Sequence, residues 1–300
     1  MTSPGATDTP TPLRIWVSAL RLRTLPAAVS PVVVGSAIAA HDHHFDSAAA
    51  GLCLVFALLV QVGTNFANDY YDFVHGADNA SRVGPRRAVA SGLVTPEAMR
   101  RATAAVFAAA FIAGLGLIHW GGPWMLAVGL ASIACGIAYT GGPWPLAYHG
   151  MGDLFVFVFF GLVAVCVTYF VQAARVSAHS LLAGASMGLL CSNILLVNNY
   201  RDMESDSDAN KRTLVVRFGR RFARGQFLAS LAVSFGVPIL FLITGYRAWC
   251  LLPLLLLPMA VNHMRRLSAG ATPLELVSLL GDTAKLMAAY AALFALGILL

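Results

Sequence analysis

Asp202 and Asp206 stand four residues apart in Asn198–Thr213 (NNYRDMESDSDANKRT), a polar stretch that follows the apolar run Leu181–Val197 almost without transition. On a continuing helix that spacing stacks both carboxylates on one face. Asn198 lies one turn before Asp202 on that face, Asn199 lies three residues before it, and Lys211 and Arg212 follow shortly after. Such a set suits Mg²⁺, or Mn²⁺ in its place, together with a polyphosphate. Hard oxygen donors hold the metal, and the metal with the cations holds the phosphates. The same logic recurs in Asn65–Asp78 (NFANDYYDFVHGAD), at the end of the apolar run Gly51–Val62. There Asp69 and Asp72 are three apart, and Asn65 and Asn68 share their faces. Two acidic helix ends, each closing an apolar segment of membrane length, point to a site assembled between segments.

A solvated loop that balances nearby arginines is the plain alternative for any one of these acids. It accounts poorly for Asn65, Asn68, Asn193, Asn198 and Asn199, which sit in or against apolar segments where an unpaired polar group is costly. Arg82, Arg86, Arg87, Lys211, Arg212 and Arg217 are candidate phosphate clamps. Arg82, Lys211 and Arg212 are favoured because they lie nearest the acids. The stretch Tyr139–Tyr148 (YTGGPWPLAY) combines a Gly/Pro turn with aromatics that could wall a flat substrate, here Tyr139, Trp144 and Tyr148. Asp153 opens the segment that follows, as a substrate contact or as an acid complementing a helix N-terminus. His41, His43 and His44 lie far along the chain from both motifs and read as a surface cluster.

The elements that must position these groups are helices in a bilayer. Of 300 residues, 58% are hydrophobic and 11% charged, with mean hydropathy +0.72. A soluble domain carries roughly 25% charged residues. The apolar runs have helix length rather than the ~10-residue alternation of an outer-membrane barrel. Nine spans are expected, near 25–40, 48–68, 102–119, 124–140, 154–174, 180–200, 226–244, 247–262 and 284–300. Residues 1–12 read as a polar tail, Leu13–Arg23 as a short surface helix, and 13–300 as a single transmembrane domain. With nine spans, 18 of the 20 Lys and Arg fall on one side, leaving Arg175 and Arg247 opposite. The positive-inside rule makes that side cytoplasmic, with the N-terminus inside, the C-terminus outside and both acidic motifs facing the cytoplasm. The net charge of +6 is thus a topology signal, and no nucleic acid is implied. The five cysteines are scattered singly in apolar runs, which argues against zinc or a disulfide framework.

From about Leu13 onward the chain resembles the UbiA superfamily of intramembrane aromatic prenyltransferases. The likeness rests on N-D-x-x-D at Asn68, Asp69 and Asp72 and D-x-x-x-D at Asp202 and Asp206. Within it, the 1,4-dihydroxy-2-naphthoate branch of menaquinone synthesis is most similar, through RTLPAAVSPVVVG at 23–35, NDYYDFVHGAD at 68–78, YTGGPWPLAY at 139–148, GDLFVFVFFG at 152–161 and NNYRDMESDSDANKRTLVVRFG at 198–219. Two departures from the wider superfamily stand out. The acid usual four after Asp72 is Gly76, with Asp78 displaced by two, and the Tyr-x-x-x-Lys pattern ends in Pro143. These leave the fourth acidic ligand and one phosphate contact open.

The resemblance implies an all-α bundle in the bacterial plasma membrane. It implies metal ligation by Asp69, Asp72, Asp202 and Asp206 with Asn68, and transfer of a polyprenyl group from its diphosphate to an aromatic acid. For the naphthoate branch the product has lost CO₂, and Arg23 is the candidate partner of the acceptor's carboxylate. Another acceptor such as 4-hydroxybenzoate would keep the chemistry and change the product. A transporter would also be helical and polar inside, but its site is expected near the midplane rather than at one face. Oligomeric state is not legible.

Overall fold

The computed structural model describes residues 11–77, 84 and 87–300, and every regular element among them is helical. Asp78, Arg82 and Arg86 lie outside the described residues. So do residues 1–10, most of the expected tail, whereas Thr11 caps and Pro12 opens the first helix, one residue earlier than expected. Thr11 is an N-cap and Pro12 suits the first turn, where no N–H is needed.

In chain order the helices are α1 (Pro12–Ala19), α2 (Pro26–His41), α3 (Ser47–Val74), α4 (Pro96–Gly116), α5 (Met125–Ala138), α6 (Gly152–Ala173), α7 (Ala178–Arg201), α8 (Met203–Asp208), α9 (Leu214–Ile243), α10 (Ala248–Ser268) and α11 (Pro273–Leu299). Their starts follow from local chemistry. Asp46 caps α3 by accepting from the amides of Ala48 and Ala49 at 2.9 Å. Thr95, Ser177, Thr213 and Thr272 cap α4, α7, α9 and α11, the second and fourth as capping boxes with Ser180 and Glu275.

Each expected span overlaps a helix. Among the described residues seven helices are long and apolar enough to cross a membrane by themselves, and an eighth crossing results if the α1–α2 pair, bent by 50°, counts as one. The expected span at 124–140 is the exception. Met125–Ala138 has 14 residues, below the roughly 17 that hydrocarbon requires. By length and composition alone, the described residues supply seven to eight candidate crossings.

Helix α7 is the centre of the bundle: 72% of its apolar window is buried, against 22% for α3. Lipid offers no hydrophobic drive for helix pairing, so close van der Waals contact must supply it. Glycines provide that contact where α6 meets α7. A Cβ on Gly188 would lie 2.5 Å from the carbonyl oxygen of Phe157, and one on Gly161 would lie 2.5 Å from that of Gly184. The same part of α6, Val158–Val163, is a π-turn. Phe159, Phe160 and Val163 of this turn line an internal cavity. That cavity, about 1190 Å³, lies between α3 and α7, the two helices that carry the acidic motifs.

Candidate functional site

The first motif occupies the last turns of α3, where Asn65, Asp69 and Asp72 are buried. The amide nitrogen of Asn65 donates to Leu20 O at 3.0 Å and to Thr24 Oγ1 at 3.2 Å. Asn65 therefore fastens the α1–α2 turn to α3, a task the sequence did not reveal. Asn68 faces the cavity, and its amide oxygen accepts from Thr140 Oγ1 at 2.8 Å.

Asp69 is engaged by backbone. Both of its carboxylate oxygens accept backbone N–H groups, from Ala88 and Val89, at 3.1 Å each. These bonds anchor the loop that returns over the site and use one lone pair of each oxygen, while Asp69 also lines the cavity. Asp72 is the available acid of this motif. Its Oδ1 accepts from the hydroxyl of Tyr148 at 3.1 Å, and its Oδ2 lies 3.6 Å from the Arg87 guanidinium.

The second motif is bent rather than continuous. Helix α7 ends at Arg201, Asp202 takes a non-helical conformation, and α8 begins at Met203. A backbone bond from Asp206 N to Asp202 O at 2.7 Å still keeps the two acids one turn apart. Asn210, at φ +55°, then reverses the chain and returns the Lys211 amide to Asp206 O at 2.7 Å. As a result the Lys211 ammonium lies 3.4 Å from Asp206 Oδ1 and 5.7 Å from the Tyr148 ring centre. Burial works against that ammonium, but the carboxylates of Asp206, Asp72 and Asp202 outweigh it and hold its pKa above the ordinary lysine value. Burial, joined by the charges of Asp202 and Asp72 and opposed by Lys211, pushes the Asp206 carboxyl up to about 6. The two motifs therefore share one electrostatic site, with Lys211 between them.

Arg201 is the residue the sequence reading passed over. Its guanidinium forks both oxygens of Asp202 at 2.6 Å and reaches Asn198 Oδ1 at 2.9 Å. The signal was its position immediately before Asp202 on a helix too apolar to carry an idle cation. Asn198 and Asn199 line the cavity, as do Tyr139 and Arg23, the last near its mouth beside Gly281.

Other expected contacts are not gathered there. Arg212 is exposed, and its backbone is engaged, with N donating to Tyr148 O at 3.0 Å. Trp144 stacks on His149 at 4.3 Å, 54% exposed, outside the cavity. Asp153 sits in a small crevice behind Tyr139 and Asn199, where Gln226 donates to it at 2.8 Å.

The donor set fits a hard divalent cation. Among the described residues no three His, Cys, Asp or Glu side chains already converge as a closed cage. Yet Asp206 Oδ2 is buried with no hydrogen-bond partner, an orphaned anionic oxygen that a cation would satisfy. Asp72, Asp202, Asp206 and the Asn68 amide offer oxygen only, and Lys211, Arg87 and Arg201 would meet a polyanion beside them. Below this polar end the cavity is walled by Phe56, Val60, Val128, Phe155, Phe159 and Val167, a lining for a long apolar chain.

The model of the UbiA prenyltransferase family matches residues 28–273. The chain is 39% identical over 276 residues to the 1,4-dihydroxy-2-naphthoate octaprenyltransferase of Mycobacterium leprae, covering 92% of this chain and 93% of that protein. It is 36% identical over 292 residues to the enzyme of the same name from Escherichia coli K12, covering 95% of each. Among solved structures it resembles a UbiA homolog from Archaeoglobus fulgidus bound to DMAPP and Mg²⁺, with TM-score 0.66 and 14% identity over 93% of this chain and 98% of the other. At that identity the likeness is one of fold.

Proposed function

The chain belongs to the UbiA prenyltransferase family, and from that premise we propose that it transfers a polyprenyl group from polyprenyl diphosphate to 1,4-dihydroxy-2-naphthoate. The acceptor loses its carboxylate as CO₂, and the product is a demethylmenaquinol for menaquinone synthesis. The observation that carries this reading is the meeting of two acidic helix ends around Lys211, at the polar end of an apolar cavity. Names borne by relatives over more than nine-tenths of the chain support the acceptor.

Asp72, Asp202, Asp206 and Asn68 would hold Mg²⁺, for which Mn²⁺ can substitute. The metal, when bound, supplies Lewis-acid charge to the departing diphosphate. The chain's own cations do the rest. Lys211, Arg87 and Arg201 stand where negative charge accumulates as the allylic C–O bond breaks and the electron pair leaves with the diphosphate. Phe155, Phe159 and Tyr139 wall the space in which the allylic cation forms, keeping water from it until the electron-rich ring attacks. Asn199 and Tyr139 border the acceptor, and Arg23 at the mouth meets its carboxylate.

Residues 13–300 act as one membrane domain of the bacterial plasma membrane. Its acidic end faces the cytoplasm, as the distribution of Lys and Arg supports. The test is product stoichiometry. Purified protein given Mg²⁺, a labelled prenyl diphosphate and carboxyl-labelled dihydroxynaphthoate releases one diphosphate and one CO₂ per prenylated ring. Diphosphate release without ring prenylation would refute the proposal.

A further inference from the structure

Of the acids at this site, Asp202 alone has both oxygens forked by one guanidinium, at 2.6 Å each, among the described residues. The ion pair is closed to solvent, with the Arg201 side chain 2% exposed. Gly84 covers it from the returning loop: a Cβ there would stand 3.5 Å from Arg201 Cζ. Asp206 contrasts with it, since its Oδ2 has no hydrogen-bond partner and can meet an arriving cation with nothing displaced.

We propose that Arg201 is a resident counter-ion that makes binding of the divalent cation conditional on binding of the diphosphate. This rests on the function proposed above. A carboxylate whose two oxygens are taken by a guanidinium fork cannot offer both to a metal. A cation arriving alone would also meet Arg201 and Lys211, whose charges already balance Asp202 and Asp206. Diphosphate removes both obstacles. Its oxygens match the planar fork of arginine as well as a carboxylate does. Arg201 lines the cavity and can change partner without crossing the protein. The guanidinium passes from Asp202 to phosphate, and Asp202 turns to the metal. The number of charge pairs is conserved, and no buried charge is left unpaired. In this exchange Arg201 governs when Asp202 is available, besides contacting the diphosphate itself.

The experiment measures Mn²⁺ binding to the full chain in detergent by equilibrium dialysis at matched free Mn²⁺. It is done with and without geranyl diphosphate and with no acceptor present. In the wild type, geranyl diphosphate tightens Mn²⁺ binding by a factor within the usual range of allosteric coupling, roughly 5–150-fold. Arg201→Gln binds Mn²⁺ alone about tenfold more tightly than wild type, and its enhancement by geranyl diphosphate shrinks by a similar factor. Damage to the fold would not tighten metal binding. Should the Gln variant lose its helical circular dichroism, Arg201→Lys carries the test. Lysine keeps the charge without the fork and is expected to bind Mn²⁺ alone more tightly than wild type. Wild-type affinity for Mn²⁺ alone in a folded Arg201 variant would overturn the inference while leaving prenyl transfer intact. Failure of the wild type to bind Mn²⁺ or geranyl diphosphate at all would overturn the functional reading instead.

Discussion

The hydroxyl of Tyr148 donates to Oδ1 of Asp72 at 3.1 Å, which ties the loop after α5 to the last turn of α3. The same ring carries the Lys211 ammonium, so one side chain touches groups of both acidic motifs. A hydrogen bond to a charged group contributes about 1.5–3 kcal/mol, so Tyr148→Phe should lower kcat/KM by about tenfold or more. Steady-state kinetics with saturating metal would check this. An unchanged kcat/KM would show that the tie is idle.

Asp69 and Asp72 are predicted to fail differently. Asp69→Asn gives up a carboxylate that accepts two amides, and loosens residues 88–89 at a cost of about 1–3 kcal/mol. Asp72→Asn removes a ligand. Both should be poor enzymes, but in the presence of geranyl diphosphate Asp69→Asn should keep Mn²⁺ affinity within about threefold of wild type, while Asp72→Asn and Asp206→Asn lose tenfold or more. Equal loss in all three would return Asp69 to the ligand set. Full activity of any of these proteins in EDTA would remove the metal from the mechanism.

The two cations after α8 should also separate. Lys211 is half-buried beside three carboxylates, and Arg212 is exposed away from the cavity. Lys211→Ala should raise KM for the prenyl donor by at least tenfold and leave that for the acceptor nearly unchanged. Arg212→Ala should stay within about twofold of wild type. A larger effect at Arg212 would mean that the loop rearranges on binding.

What the sequence disclosed follows a physical divide. Helix positions were legible because lipid demands long apolar runs. Caps such as Thr95-Pro96 and Thr272-Pro273 mark their starts, although Met125–Ala138, with 14 residues, is shorter than the apolar run at 124–140 suggests. Asp72, Asp202, Asp206 and Lys211 were legible because acids at apolar helix ends are costly unless used. The sequence could not disclose how each acid is employed. Asp69 and Asp72 look alike on a helical wheel, yet one meets the backbone of residues 88–89 and the other meets Tyr148, 76 positions away. Nor could it tell Arg201, folded onto its neighbour, from a topology arginine. Those distinctions are set by which loop returns over which helix end.

The contact between α6 and α7 predicts a stability effect remote from chemistry. Gly188→Ala places a methyl 2.5 Å from Phe157 O, where backbone must give way. Overpacking of this kind costs about 1–3 kcal/mol, which a thermal melt in detergent would register as a lower midpoint. Because Phe159 and Phe160 belong to the displaced π-turn, KM for the prenyl donor should rise as well. A variant as stable as wild type would show that the helices are not in contact as described.

Competition between two aromatic acids tests the identity of the acceptor directly. The purified protein receives Mg²⁺ and one labelled polyprenyl diphosphate, with 1,4-dihydroxy-2-naphthoate and 4-hydroxybenzoate together at equal concentration. Products are then resolved by mass. The expected outcome is a prenylated naphthoquinol lacking the carboxylate, little or no prenylated benzoate, and a raised acceptor KM in Arg23→Ala with the donor KM nearly unchanged. Efficient prenylation of 4-hydroxybenzoate with its carboxylate retained, in preference to the naphthoate, would contradict it.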